Sequence, residues 1–127
     1  MTERKNISTS WREGRYFDKW MVVHWLGGVT GGFSNVFFGL ATLNVFLVGA
    51  GLMVVWEIAE YIGGIRESQE NRVLDIVVGL LGVAIAVASA AWLSPNRERL
   101  AFVASGLCFG LGSFFGWAAH QKRRRGS

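Results

Sequence analysis

Glu57 and Glu60 apart, charge is confined to a few short stretches of this 127-residue chain, and nothing else in it constrains the fold as much. Lys, Arg, Asp and Glu fill the first twenty residues, positions 66–75, positions 97–99 and the tail from 122. Between them lie apolar blocks. A water-soluble domain intersperses its charges, whereas a helix crossing a bilayer needs about 20 predominantly apolar residues in a row. Four blocks meet that need, at about 20–40, 43–62, 73–93 and 100–119. The expected fold class is therefore all-α, an integral membrane bundle of four transmembrane helices. A single transmembrane domain at 20–119 would follow an N-terminal segment 1–19 and precede a basic tail 120–127. Ser94-Pro95-Asn96 is expected to end the third span, because proline lacks a backbone donor and disfavours helix just before it. The link between the first two spans is only two or three residues, which forces a hairpin.

Four spans put both termini on one side. Eleven Lys and Arg residues, from the N-terminal segment, the middle loop and the tail, share that side, against only Arg97 and Arg99 opposite. Positive charge beside a span marks the cytoplasmic face, so both termini are expected in the cytoplasm of a plasma membrane. The same placement explains the basic balance without a nucleic-acid partner. Residues 10–20 look like an interfacial amphipathic helix. Ser10 and Glu13 have capping-box spacing, and Trp11, Tyr16, Phe17 and Trp20 alternate with Arg12, Arg15 and Lys19. No short apolar region leads to a cleavage site, so no secretory signal is expected. The lone Cys108 excludes a disulfide framework.

Apolar burial does little to bring helices together in lipid, so small residues at contacts matter. The chain has 17 glycines. Gly27/Gly31, Gly28/Gly32, Gly106/Gly110 and Gly112/Gly116 are four apart. Asp75, Gly79, Gly82, Ala86 and Ser89 form one helical stripe, and His24, Gly28, Gly31 and Asn35 another. Gly28, Gly31, Gly79, Gly82, Gly106 and Gly110 are the packing candidates.

The stretch WEIAEY at 56–61 puts Glu57 and Glu60 on one helix face near the inner end of the second span. Asp75 lies in the first turn of the third span, His24 at similar depth in the first, and Arg66 and Arg72 close by in the connecting loop. Ionisable residues inside a membrane are costly and default to a functional hypothesis. Three readings stand. In the first, arginine pairs with carboxylate as a structural network; in the second, the residues line a pocket for a polar headgroup or partner; in the third, His24, Glu57, Glu60 and Asp75 hold a metal or a proton, since carboxylate and imidazole suit Mn, Zn or Mg by ligand type. Neither Glu-x-x-His nor His-Glu-x-x-His occurs. There is no Gly-x-Ser-x-Gly serine, and Gly27–Gly32 lacks the Lys of a phosphate loop. His120 reads as a helix-end cap.

WEIAEY, the loop with Arg66, and DIVVGLLG at 75–82 resemble the core of the VanZ-like group of small bacterial membrane proteins and its YjdF-type relatives; DKWMVVH at 18–24 resembles the start of their first core span. The resemblance covers about residues 18–86. Asp75 and Gly82 fit the group's Asp-x-x-x-Asn-x-x-Gly pattern, with Gly79 at the Asn position. It implies a bundle of four or five helices in a bacterial plasma membrane and carries over Glu57, Glu60, Arg66, Asp75 and His24 as site residues. VanZ itself is linked to glycopeptide resistance. The expectation is a non-enzymatic accessory or binding protein in contact with lipid and other membrane subunits, with the acidic cluster holding a polar headgroup or partner. The alternatives are a structural subunit of a larger complex, such as a pigment–protein complex, a small transporter or channel, and a metal-dependent intramembrane enzyme.

Overall fold

The structure, a computed structural model, describes residues 7, 9–12 and 14–126. Among them are five helices: α1 (Lys19–Phe33), α2 (Asn35–Phe38), α3 (Thr42–Ile62), α4 (Gln69–Ala90) and α5 (Pro95–Arg125). The helices α3, α4 and α5 are long and apolar enough to cross a membrane. At 15 residues α1 alone is short of a span. Leu47, Leu52, Val77, Leu81, Leu107 and Phe114 are exposed along α3–α5, as side chains facing hydrocarbon would be.

Each boundary has a local cause. Asp18 caps α1 by accepting from the backbone N–H of Trp20 at 2.9 Å and of Met21 at 3.3 Å. The chain stays in helical conformation through Ser34, whose hydroxyl donates to the Gly31 carbonyl at 2.6 Å. Gly39, at φ 62°, then ends α2. The Asn35 side chain brackets this turn, donating to the Leu40 carbonyl at 3.1 Å and accepting from its N–H at 2.8 Å. At the end of α3, Gly64 N–H reaches the Tyr61 carbonyl and Ile65 N–H the Glu60 carbonyl. That is a Schellman closure, with Gly64 at φ 83° in the left-handed position that glycine adopts most easily. Ser68 caps α4 through the Asn71 N–H.

Several boundaries differ from those expected. The third span ends at Ala90, before Ser94-Pro95-Asn96, and starts at Gln69. Pro95 opens α5 instead, at the first helical position, where its missing N–H has no partner to lose. The α5 helix overruns the expected fourth span at both ends. The interfacial helix over residues 10–20 is not formed: the described residues before Lys19 are bends and one isolated bridge between Ile7 and Phe17. Ser10 Oγ accepts from the Arg12 N–H two residues on, and Glu13 lies outside the described residues. Gly14 N–H donates to Asp18, which draws the chain into a turn rather than a helix. This strap still packs by its aromatic residue, with the rings of Trp11 and Trp20 5.5 Å apart.

The centre of the bundle is α1, packed against α4 on one side and α5 on the other, with α3 against α4. A Cβ at Gly28 would overlap the Gly79 carbonyl, and one at Gly82 the Trp25 carbonyl, so α1 and α4 cross in backbone contact. The small face of α1 runs His24, Gly28, Gly32 rather than through Gly31 and Asn35. Gly31 meets nothing within 4 Å, nor does Gly110, and Gly106 makes only ordinary contact with Thr30. The glycines that admit α1 to α5 are Gly27, against Phe109, Gly112, against Val23, and Gly116, against Trp20. The start of α1, the end of α3, the start of α4 and the end of α5 share one end of the bundle. They are tied there by Ser68 to the Arg15 carbonyl at 2.8 Å and Arg124 to the Gly63 carbonyl at 3.3 Å.

Candidate functional site

At that end, just inside the apolar stretches, α1, α3 and α4 bring together a buried polar cluster. His24 is 2% exposed, Glu57 6%, Glu60 1% and Asp75 0%. Each is placed by a constraint already described. His24 sits one turn above Gly28, where the backbones of α1 and α4 touch. Asp75 sits one turn before Gly79. Glu57 and Glu60 are on the inward face of the last turns of α3.

The His24 ring is oriented by its own helix, since Nδ1 lies 2.9 Å from the Trp20 carbonyl. A carbonyl only accepts, so Nδ1 carries a proton and donates it. Nε2 then faces Glu57 Oε1 at 3.1 Å, and Asp75 Oδ2 lies 3.7 Å from Nδ1. Asn71 Nδ2 is shared between Glu67 at 2.8 Å, Asp75 at 3.2 Å and Asp18 at 3.3 Å. Arg72 Nε approaches Glu57 at 3.4 Å and Glu67 at 3.7 Å. The Trp56 indole donates to Glu60 at 2.8 Å. Both oxygens of Glu57, and Asp75 Oδ1, are buried without a well-formed hydrogen bond.

Of the residues expected at the site, His24, Glu57, Glu60, Arg72 and Asp75 converge and Arg66 does not. Arg66 is exposed and lines a separate cavity with arginines of the chain's ends. Asp18, Glu67, Asn71 and Trp56 belong to the cluster and were not expected there. A signal for two of them exists: Glu67, Asn71, Asp75 and Gly79 are four apart in sequence and so lie on one face. His120 reaches the Gly63 carbonyl of the neighbouring loop, at 3.3 Å, rather than capping its own helix.

The charge is one-sided. Five carboxyl groups, from Asp18, Glu57, Glu60, Glu67 and Asp75, face one guanidinium and one imidazole. Part of the imbalance is met by protons. Burial pushes the Glu67 carboxyl, in the loop before α4, up to about 9, and the neighbouring Glu57 carboxylate adds to the rise. Two sets of side chains have ligating atoms within 4.8 Å of one another: His24, Glu57 and Asp75; and Glu57, Glu60 and Glu67. Nitrogen and carboxylate oxygen together suit a first-row divalent ion such as Mn or Zn. An Nδ1–H held by a backbone carbonyl, with Nε2 turned to the ion, is the usual orientation of a ligating histidine. Beside the cluster, a cleft of about 380 Å³ opens between α3 and α5, with Gly27, Gly31, Trp56 and Phe109 among its walls and His24 at one edge.

Compared with protein-family models, with curated proteins and with solved structures, the chain shows no match.

Proposed function

We propose that this is a four-span membrane protein that binds a cation, a divalent transition metal, at His24, Glu57 and Asp75. One observation carries the reading. His24 Nε2 and Glu57 Oε1 face each other at 3.1 Å while Nδ1 is already committed to the Trp20 carbonyl. Two acceptors at that separation require a positive centre with them, either a proton or an ion. A single ion binding both at about 2.1 Å places them roughly 3 Å apart. The surplus of carboxylates, and the buried Asp75 Oδ1 that no hydrogen bond meets, favour the ion. The ligating side chains of His24, Glu57 and Asp75 are almost wholly buried, so the cluster fits an ion better than a lipid headgroup.

The fourth span in this reading is α1 with α2, helical over positions 19–38 and about 30 Å long at 1.5 Å per residue. The excess of Lys and Arg at the end holding both termini supports a cytoplasmic placement of that end in a bacterial inner membrane. The resemblance to VanZ-like and YjdF-type proteins is part of this proposal, because the residues it carries over, apart from Arg66, are those of the cluster.

The test is the metal content of the full chain extracted gently from membranes, compared with His24→Ala and Glu57→Gln. Near-stoichiometric Mn, Zn or Fe in the wild type, lost in both variants, is the expected result. A wild type that stays metal-free after supplementation, with His24 doubly protonated by NMR, would reduce the site to an ion pair and sink the proposal.

A further inference from the structure

A second, oppositely charged site lies at the same end of the bundle. Arg12 from the strap before α1, Arg66 from the α3–α4 loop, and His120, Arg123 and Arg124 from the last turns of α5 line one cavity of about 630 Å³. Three segments far apart in the sequence thus bring four guanidiniums and an imidazole to a single concave surface. Guanidiniums gathered on one concave surface focus a positive potential there, which attracts anions. The arrangement is built rather than incidental. The Gly63 carbonyl accepts from Arg124 Nη1 at 3.3 Å and lies 3.3 Å from His120 Nε2, which fixes the end of α5 against the loop. The left-handed turn at Gly64 lets the loop backbone pass close to the Arg124 guanidinium.

We infer that this cavity binds a phosphate group, carried either by an anionic lipid headgroup or by a soluble phosphate. Guanidinium forks match phosphate oxygens two at a time, and several of them around one cavity hold a doubly charged group better than scattered surface charge does. The cavity lies where the apolar part of α5 gives way to Lys122 and the arginines, at the level a lipid headgroup would occupy. The inference does not depend on the cation site, which uses none of these residues.

The experiment uses the full chain in mild detergent. Native mass spectrometry follows binding of phosphatidic acid against phosphatidylcholine, and calorimetry follows inorganic phosphate. The variants are Arg66→Gln with Arg124→Gln, and, for the same loss of charge at the far end, Arg97→Gln with Arg99→Gln. The wild type is expected to prefer phosphatidic acid, and the Arg66/Arg124 variant to bind it about thirty-fold more weakly, with the Arg97/Arg99 variant unchanged. Preference for the lipid with no binding of inorganic phosphate assigns the headgroup. Phosphate that binds and displaces the lipid assigns the soluble ligand. Should the double variant fail to fold, Arg66→Gln alone, at an exposed loop side chain, carries the test. Binding of both ligands that is unaltered by these changes, or equally weakened by the Arg97/Arg99 change, overturns the inference.

Discussion

Both α4 and α5 are long enough and apolar enough to cross a membrane, but 28% of the apolar window of α4 is buried inside the protein against 6% of that of α5. The helix with the uncharged span is the one on the outside, and the helix that carries Asp75 and a line of glycines is the one at the seam. In water the reverse holds, because there apolar surface is what hides. In lipid, long apolar side chains are already in a compatible solvent, and the residues that need protein around them are the polar and the small ones. Along α5 only Gly116 and His120 are buried, one a small residue and the other a titratable one.

The largest expected effect tests that contrast directly. Gly82→Leu drives a side chain into the α1 backbone and should lower stability in detergent by about 3 kcal/mol or more. Gly110→Leu, into open space on α5, should shift it by less than about 0.5 kcal/mol. Equal losses in chemical or thermal unfolding would erase the distinction between the two helices. Next in size is Asp75→Asn. It should weaken divalent metal binding by about 100-fold, measured by competition with a chelating dye. It should also raise the melting temperature of the metal-free protein by a few degrees, because it removes one negative charge from an over-acidic cluster while the amide oxygen still accepts from Asn71. A fall in the metal-free melting temperature would mean that Asp75 is there for stability.

A pH series sharpens the picture of the α4 end. Unfolded, the Glu67 carboxyl ionises near its ordinary 4.5; folded, it keeps its proton to about 9. The folded chain therefore binds the extra proton through that window. Its stability falls as pH rises from about 4.5 to about 9 and levels off above. Glu67→Gln should flatten the fall, and an unchanged slope in the variant would show that the proton resides elsewhere. The smallest effect is at the caps. Ser68→Ala removes the hydroxyl that accepts from Asn71 N–H and donates to the Arg15 carbonyl, and should cost about 1 kcal/mol or slightly more, whereas Ser94→Ala, whose side chain makes no capping bond to α5, should cost nothing measurable.

The sequence shows where the apolar helices are, because charge segregation is a one-dimensional signal. It also shows the seam face of α4, because Asp75, Gly79, Gly82 and Ala86 repeat with the helix. It does not show which of two adjacent glycine pairs turns inward. Gly27/Gly31 and Gly28/Gly32 differ by one position, about 100° of rotation, and only the neighbouring helices decide. Much the same limit hid the rest of the site. Asp18 reads as part of a polar lead-in until its place as the α1 cap brings it beside Asn71. Arg66 reads as the natural partner of the carboxylates until the Schellman turn at Gly64 directs the loop the other way. The lead-in helix fails for a local reason, the turn that Gly14 and Asp18 close between them.

The fastening of the last turns of α5 to the Gly63 carbonyl also sets an order of assembly. His120 and Arg124 are made 57 and 61 residues after Gly63. The loop between α3 and α4 must therefore stand unfastened until the last turns of α5 have been made, and its arginine gains its neighbours only then. A stop codon before His120 would leave every apolar helix able to insert and yet leave the basic cavity unbuilt. Shortened chains should thus reach the membrane in normal amounts with that end of the bundle unfinished.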